Sequence, residues 1–213
     1  MEQVASQPAT RRSQTQRREE MRQRLAAATL DALAEHGHAG ASLSVILARA
    51  GVSRGAWSHH FETKAEMLAL AAEGLLREAI AAARSLALPP ADGGDPAVRL
   101  SALLETAWTR FYQGRHRDLL FEVALAARTD TELRARLAPI FDAFIAEVGR
   151  GWGLALAMPP GQEGAVADLM VLTVYMLRGM AMQELAAGPA PHHAALRRLW
   201  VDMLAGYLAP CRE

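Results

Sequence analysis

Residues 42–64 read SLSVILARAGVSRGAWSHHFETK, and this stretch decides the prediction of the fold. Ser42 can cap a short helix that ends at Gly51, and Ser53 can cap a second short helix that ends near His60. The glycine between them suits a tight turn, because glycine adopts a left-handed backbone at little steric cost. Two short helices joined in this way are typical of a helix-turn-helix, although a purely structural pair of helices has the same outline.

The chain on both sides of this stretch also has a helical pattern. Upstream, apolar residues recur at steps of three and four from about Gln14, which predicts a helix. Gly37 is the first of the glycines that we expect to end that helix. Downstream, Thr63 and Glu66 fit a capping box, in which each side chain bonds the backbone amide of the other residue. A long fourth helix should follow this box.

Five more helices are predicted in the rest of the chain. Asp95 followed by Pro96 is a good helix start, and Thr129 with Glu132 offers a second capping box. Pro139 lies inside the helix that begins there, so we expect a kink or a restart. Ala and Leu dominate the composition and Asn is absent, which favours helix over strand.

The predicted fold is therefore all-α, with about nine helices in two parts. We expect a flexible basic arm over residues 1–13 and a helix-turn-helix domain over residues 14–62. A larger helical domain over residues 63–213 should follow, with the long fourth helix joining the two parts.

Composition and charge narrow the classes of function. Of the 213 residues, 51% are hydrophobic and 22% are charged, which is ordinary for an ordered globular protein. Basic and acidic residues both number 23, so a uniformly basic coat for nucleic acid is excluded. Residues 1–64 nevertheless carry nine basic and six acidic side chains. This excess suggests that the first third of the chain meets a polyanion, although chance alone produces an excess of three charges.

Cysteine content and apolar runs bear on the compartment. Cys211 is the single cysteine, so a disulfide scaffold is excluded. The first twenty residues contain no apolar stretch of the kind that a signal peptide needs. The longest apolar run, residues 169–177, is too short to span a bilayer. We expect a cytoplasmic protein that does not bind membranes.

Five groups of residues in the helix-turn-helix region follow a known pattern at fixed distances: Ser42 with Ile46, Ala50-Gly51-Val52-Ser53, Arg54-Gly55, His59-His60-Phe61, and Lys64 with Leu68. In these groups the chain resembles the TetR family of transcriptional regulators. The close resemblance covers about residues 20–75. The remainder is similar to the family in the number and length of its helices.

The resemblance implies a set of DNA contacts. Ser42 and Lys64 would hold phosphates, and Arg54 would reach the base edges of the major groove, where arginine pairs well with guanine. The full candidate set is Ser42, Ser44, Ser53, Arg54, Gly55, Ser58, His59, His60 and Lys64.

Arginines near the N-terminus are a second candidate for DNA contact. Arg11, Arg12, Arg17 and Arg18 could enter a neighbouring minor groove. They fit a solvated tail equally well.

The predicted larger domain has more apolar residues than one face of each helix requires. They could line a cavity for an apolar small molecule or fill an ordinary core, and the resemblance implies a ligand pocket. The candidate pocket residues are Trp108, Phe111, Tyr112, His116, Phe121, Phe144, Tyr175 and Arg178. The last two helices are apolar on more than one side, which predicts a partner subunit. The candidate dimer contacts are Met176, Met180, Leu196, Trp200, Met203 and Tyr207.

These patterns predict a DNA-binding transcriptional regulator. We expect a homodimeric repressor that an apolar small-molecule effector releases from a pseudo-palindromic operator in double-stranded DNA. No catalytic residue, cofactor or metal is predicted, since the histidine pairs at residues 36–38 and 192–193 lack the spacing of metal ligands. Two alternatives remain: a helical ligand-binding protein or enzyme without DNA activity, and a transcriptional activator of the same fold.

Overall fold

The computed structural model of the protein describes residues 13–85, 95–156 and 163–208. Within these ranges it contains nine α-helices and no strand, which confirms the predicted all-α fold. The helices are α1 (Gln14–Gly40), α2 (Leu43–Ala50), α3 (Arg54–Ser58), α4 (Lys64–Ser85), α5 (Pro96–Phe111), α6 (Gly114–Thr129), α7 (Thr131–Leu156), α8 (Glu163–Ala187) and α9 (His192–Leu208). Most of the predicted arm, with Arg11 and Arg12, lies outside the described residues, as does Cys211.

The chain divides into two compact units. Unit 1 is Met1–Ala71 and unit 2 is Ala72–Glu213. The division falls inside α4, so this helix contributes its first two turns to unit 1 and the remainder to unit 2. The sequence-based boundary, between residues 62 and 63, lies at the beginning of the same helix.

Side-chain caps and a glycine turn set the short helices of unit 1. The hydroxyls of Ser42 and Ser53 each accept a hydrogen bond from the backbone amide three residues later, at 3.3 and 3.1 Å. Gly51 ends α2 in the left-handed conformation, with φ 61° and ψ 39°. A Cβ atom there would lie 2.9 Å from a guanidinium nitrogen of Arg24. The turn therefore requires glycine for its backbone and for its space.

The core of unit 1 is formed by one side of α1 together with buried residues from α2, α3 and the start of α4. Ser13 caps α1 through a capping box with Gln16, and Gly37, at φ 65°, interrupts the helical backbone before its last turn. The buried residues include Leu25, Ala28, Ala32, Leu33, Ile46, Leu47, Trp57, Phe61, Met67 and Leu68. Packing of these side chains holds α2 and α3, which are too short to be stable alone.

Unit 2 is a helical bundle in which α5 packs on α9, α6 on α7, and α7 on α8. Its core includes Leu100, Leu104, Trp108, Phe111, Phe144, Met170, Leu177 and Leu204. Arg197 on α9 is almost fully buried and donates two hydrogen bonds to Glu105 on α5, at 2.8 and 2.9 Å. The same guanidinium lies 4.4 Å from the ring centre of Trp108. This paired charge fixes α9 on α5.

Two details at helix starts differ from the predictions. At α4, the Thr63 hydroxyl accepts from the Glu66 amide as predicted, but the Glu66 carboxylate accepts from the amide of Glu62. At α7, the capping side chain is Asp130, which accepts from the amide three residues later, whereas Thr129 ends α6 and its hydroxyl bonds back into that helix. A carboxylate is a stronger acceptor than a hydroxyl, so α7 starts one residue later than the pattern predicted.

Pro139 lies inside α7, which continues past it as one helix, so the restart predicted as an alternative to a kink does not occur. A proline inside a helix removes one hydrogen bond and costs about 3 kcal/mol. Leu133 and Leu137 before it and Phe144 after it are all buried. Burial of each such side chain contributes about 1.5–3 kcal/mol, so packing offsets the loss and the helix continues.

One described helix is long and apolar enough to cross a membrane. Residues Gly164–Ala187 of α8 have a mean hydropathy of 1.5 over an 18-residue window. The longest uninterrupted apolar run in the sequence is shorter than this segment, because single charged residues interrupt the segment. In the structure α8 contributes Met170, Val174 and Leu177 to the interior of unit 2, and 39% of this window is buried.

Candidate DNA-binding surface

The third helix presents polar side chains outward and aromatic ones inward. Arg54, Ser58 and His59 are exposed, whereas Trp57 is 7% exposed and Phe61 just beyond the helix is 2% exposed. This is the orientation that a recognition helix needs, because the side chains that would read bases must be accessible while the opposite face anchors the helix. Gly55 is also exposed, and nothing lies within 4 Å of where its Cβ would be.

The remaining predicted hydroxyls lie at helix starts on the same surface. Ser42, Ser44 and Ser53 are all exposed, and the hydroxyls of Ser42 and Ser44 lie 2.9 Å apart. Ser42 and Ser53 cap the first turns of α2 and α3. Hydroxyls and free amides at the beginning of a helix are good donors to phosphate, so this placement suits contacts with the DNA backbone. We call the exposed residues Ser42, Ser44, Ser53, Arg54, Gly55, Ser58 and His59 the recognition face.

Arg22, which the sequence pattern did not single out, holds the end of this face in place. Its guanidinium donates to the carbonyl of His60 at 2.6 Å and pairs with Glu66 at 3.4 Å. It also lies 4.3 Å from the ring centre of Phe61. One side chain of α1 therefore binds the segment between α3 and α4 through a charged hydrogen bond, an ion pair and a cation–π contact.

The end of the recognition face is electropositive. Burial lowers the pKa of His60, and the nearby cations Arg18, Arg22 and His59 lower it further. Burial likewise lowers the pKa of Lys64, which is half-buried at the first residue of α4. A cation at the positive end of a helix dipole is unfavourable by itself. A phosphate placed here would relieve both effects, so the geometry suits the predicted backbone contacts.

Unit 2 contains a cavity whose lining comes from five helices. Its free volume is about 10 Å³, and the lining residues are Leu76, Ala79, Phe111, Tyr112, His116, Leu120, Phe144 and Arg178. The Phe111 ring meets the Phe144 ring edge-on at 5.8 Å and the His116 ring at the same distance. Burial lowers the pKa of His116, and Arg110 lowers it further while Glu78 opposes both. The histidine is therefore neutral at pH 7.

Five of the predicted pocket residues line this cavity, and three do not. Trp108 is buried in the core beside Arg197, and Phe121 packs against the same core. Tyr175 is 58% exposed and lies on the outer side of α8. A tyrosine and a core aromatic share the same apolar spacing along a helix, so the sequence did not separate them.

The outer sides of α8 and α9 carry exposed apolar side chains at helical spacing. We call this set the apolar stripe: Leu172, Tyr175, Met182 and Leu185 on α8, and Leu196, Leu199, Met203 and Tyr207 on α9, each 41–63% exposed. On each helix these residues recur at steps that keep them on one face. Exposed apolar side chains aligned in this way along a helix are typical of a protein–protein interface.

The predicted dimer residues divide between this stripe and the interior. Leu196, Met203 and Tyr207 belong to the stripe, whereas Met180 is 8% exposed and Met176 packs partly buried against the core. Trp200 is half-buried and its indole nitrogen donates to the Thr173 hydroxyl at 2.9 Å. Met182 and Leu185 are not among the predicted dimer contacts, although their spacing from Leu172 and Tyr175 places them on the same face of α8.

Comparison with known proteins agrees with the geometry. Residues 25–71 match the model of the family described as bacterial regulatory proteins, tetR family. An uncharacterised HTH-type transcriptional regulator of Mycobacterium tuberculosis is 36% identical over 138 residues, which cover 64% of this chain and 68% of the relative. The HTH-type transcriptional regulator CymR of Pseudomonas putida is 30% identical over 178 residues, which cover 82% of this chain and 84% of the relative.

A solved structure of a transcriptional regulator from Rhodococcus has the same fold. It is 28% identical in sequence, with a TM-score of 0.65 over 88% of this chain and 95% of that one. Together with the two sequence relatives and the exposed helix-turn-helix, this similarity confirms the predicted family and its non-enzymatic class. The chain belongs to the TetR family of DNA-binding transcriptional regulators.

Proposed function

We propose that this regulator is a homodimeric repressor whose release from a pseudo-palindromic operator is controlled by a small molecule bound in the unit 2 cavity. The observation that carries this proposal is the apolar stripe on α8 and α9. A two-fold dimer formed there duplicates the recognition face, and a duplicated face calls for a repeated half-site in the DNA. The family consists of soluble bacterial regulators, which supports action in the cytoplasm.

The stripe supports self-association because it offers the same surface on two helices of each copy. Leu199 and Met203 lie four residues apart near the middle of α9 and are 55% and 58% exposed. Leu172 and Tyr175 offer a similar pair on α8. Two copies related by a two-fold axis would bury α8 and α9 against each other as a four-helix bundle, which is a self-complementary arrangement.

The cavity supports control by a small molecule. Its lining combines aromatic rings with a few polar groups, as in ligand pockets. Its free volume of about 10 Å³ holds about one water molecule, so a ligand has to displace the lining side chains. The cavity includes residues of α4, the helix that continues into unit 1. A molecule that binds one conformation of unit 2 better than another would shift the population between them, and α4 is the covalent route to the recognition face.

The test is a salt-dependent gel shift with the intact chain and the DNA upstream of its own gene. We expect a specific complex that weakens steeply with salt and whose footprint is two-fold symmetric. In vitro transcription from the same DNA then separates the two directions of control: added protein lowers transcript from a repressed promoter and raises it from an activated one. A footprint covering one unrepeated half-site would contradict the dimer, and a rise in transcript would contradict repression.

A further inference from the structure

Arg178 differs from the other arginines of the bundle interior in its partners. Arg197 pairs with Glu105 and Arg136 pairs with Glu73, each through short hydrogen bonds. For Arg178 the described part of the chain provides no carboxylate at ion-pair distance. The contact that it makes instead is with the Phe141 ring, whose centre lies 5.5 Å from the guanidinium.

The Nε atom of Arg178 is buried and meets no hydrogen-bond acceptor among the described residues. A buried donor without an acceptor is unfavourable, and the cost in free energy is greater when the group is charged. The same residue lines the cavity of unit 2. An acceptor that enters this cavity would recover that free energy.

Tyr112 adds a second polar group to the same wall. It is 3% exposed, and burial raises the pKa of its hydroxyl, an effect that the charge of Arg178 and a hydrogen bond from it only partly oppose. The hydroxyl therefore keeps its proton. That proton is available for an acceptor in the cavity.

The wall of the cavity has a net positive charge. His116 is neutral at pH 7, as described above, and Glu78, which acts on it, is exposed on the outer side of α4. Arg178 is thus the charged residue among those that line the cavity. The rest of the lining, with Phe111 and Phe144 meeting edge to face, is apolar.

We propose that the side chains lining the cavity move apart to admit a small organic acid, in which a carboxylate accepts hydrogen bonds from the Arg178 guanidinium and the Tyr112 hydroxyl while a single ring or short chain lies against Phe111 and Phe144. A guanidinium matches a carboxylate through two parallel hydrogen bonds, which a neutral amide or ester cannot reproduce. This inference rests on the proposed function, because it names the chemical class of the effector for the same cavity.

The experiment compares acids with their neutral isosteres on the full chain. Thermal unfolding is followed with benzoate, phenylacetate and hexanoate, and with benzamide, phenylacetamide and hexanamide, up to about 10 mM. We expect at least one acid to raise the melting temperature in a concentration-dependent manner, and its amide to bind at least about tenfold more weakly.

Variants locate the effect. Arg178→Gln should remove the preference for the acid, and Tyr112→Phe should weaken it. Arg134→Gln removes one positive charge from an exposed position of α7 outside the cavity and should leave the preference intact. Arg178→Lys keeps the positive charge but loses the two parallel donors of the guanidinium, so it should weaken acid binding about tenfold. This variant replaces Arg178→Gln in the experiment if Arg178→Gln does not fold. Binding of each variant to DNA without any acid reports that it is folded.

Three results would overturn the inference: equal stabilisation by acids and amides, no stabilisation by any acid, or an acid preference that survives Arg178→Gln. None of these would by itself remove the proposed function. If a neutral compound releases the DNA while the acids do not, control by an effector stands and the chemical class is wrong. If the gel shift shows no specific complex at all, the proposed function fails on its own terms.

Discussion

Units 1 and 2 each expose one distinctive set of side chains, and the two sets are opposite in chemistry. The recognition face of unit 1 is made of hydroxyls, an arginine and a histidine, placed by caps and a tight turn. The apolar stripe of unit 2 is made of leucine, methionine and tyrosine on two long helices. A surface that meets charged DNA has to stay polar, whereas a surface that meets a copy of itself gains from excluding water. The difference teaches that the same helical building block can present surfaces suited to two kinds of recognition, DNA binding and the proposed self-association.

The largest effect is expected from breaking the apolar stripe. Met203→Asp places a charge at the middle of the proposed interface, and a buried charge without a partner is costly. We expect monomers at micromolar concentration by sedimentation velocity, and operator binding weaker by about 10²-fold, since the two recognition faces no longer bind as one molecule. Leu125→Asp is the control, because it changes a residue that is 50% exposed on α6, outside the stripe.

Met203 is a better test position than Trp200, which is also among the dimer contacts predicted from the sequence. The indole of Trp200 bonds to Thr173 within its own chain, so its replacement also disturbs folding. A Met203→Asp protein that still sediments as a dimer would show that the stripe serves another partner.

The next effect concerns base reading by the recognition face. Arg54→Ala should cost about 1–3 kcal/mol on the preferred operator and should relax the preference at one base position. Binding to a set of single-base operator variants measures this. Arg49→Ala is the matched control, because Arg49 on α2 pairs with Glu35. Equal loss on every variant would show that Arg54 contacts phosphate.

A smaller and uniform effect is expected at the beginning of α4. Lys64→Ala should weaken binding to all DNA sequences alike and lower the slope of log K against log salt by about one. Arg77→Ala, on the exposed side of the same helix, is the control. If the salt slope stays unchanged in Lys64→Ala, the lysine does not touch a phosphate.

The smallest effect is a dependence on pH. Because the pKa of His60 lies below its ordinary value, protonation below about pH 6.5 favours the unfolded chain, and the stability of the free protein should fall as the pH falls through that range. A phosphate beside His60 raises its pKa again, so DNA binding should take up a proton and strengthen as the pH falls, by less than tenfold per pH unit.

Paired titrations of stability and DNA affinity measure the two opposite trends. His60→Asn should reduce both, and His36→Asn, at an exposed position of α1, should reduce neither. Trends of the same sign for stability and affinity would contradict a contact between His60 and phosphate.

Local rules predicted unit 1 well because its turns depend on single residues. Ser42, Gly51 and Ser53 act within a few residues of the chain, so the bounds of α2 and the start of α3 followed directly from the pattern. Arg22 escaped prediction because its partners, such as Glu66, lie about forty positions away. Long-range contacts of this kind leave no mark in local spacing.

Unit 2 was harder to predict because its apolar residues lie in three kinds of position. Met180, Tyr175 and Phe144 face the interior, the outer stripe and the cavity respectively, and all three fit the same helical period. Which position each takes depends on the rotation of its helix against its neighbours, which the sequence of one helix does not specify. The ion pair of Arg197 and Glu105 could not be predicted for the same reason, since it joins residues on α5 and α9.

The contacts of Arg22 with the segment between α3 and α4 have a consequence for the proposed release from the operator. A helix of only five residues has no rigidity of its own, so α3 keeps its shape through Arg22, Trp57 and Phe61. When the beginning of α4 shifts, we expect α3 and the segment between α3 and α4 to move with it as one rigid unit. In the proposed dimer, binding of the effector would then change the spacing of the two recognition faces along the DNA, while each face keeps the same base preference. A repressor released in this way would remain able to search the chromosome.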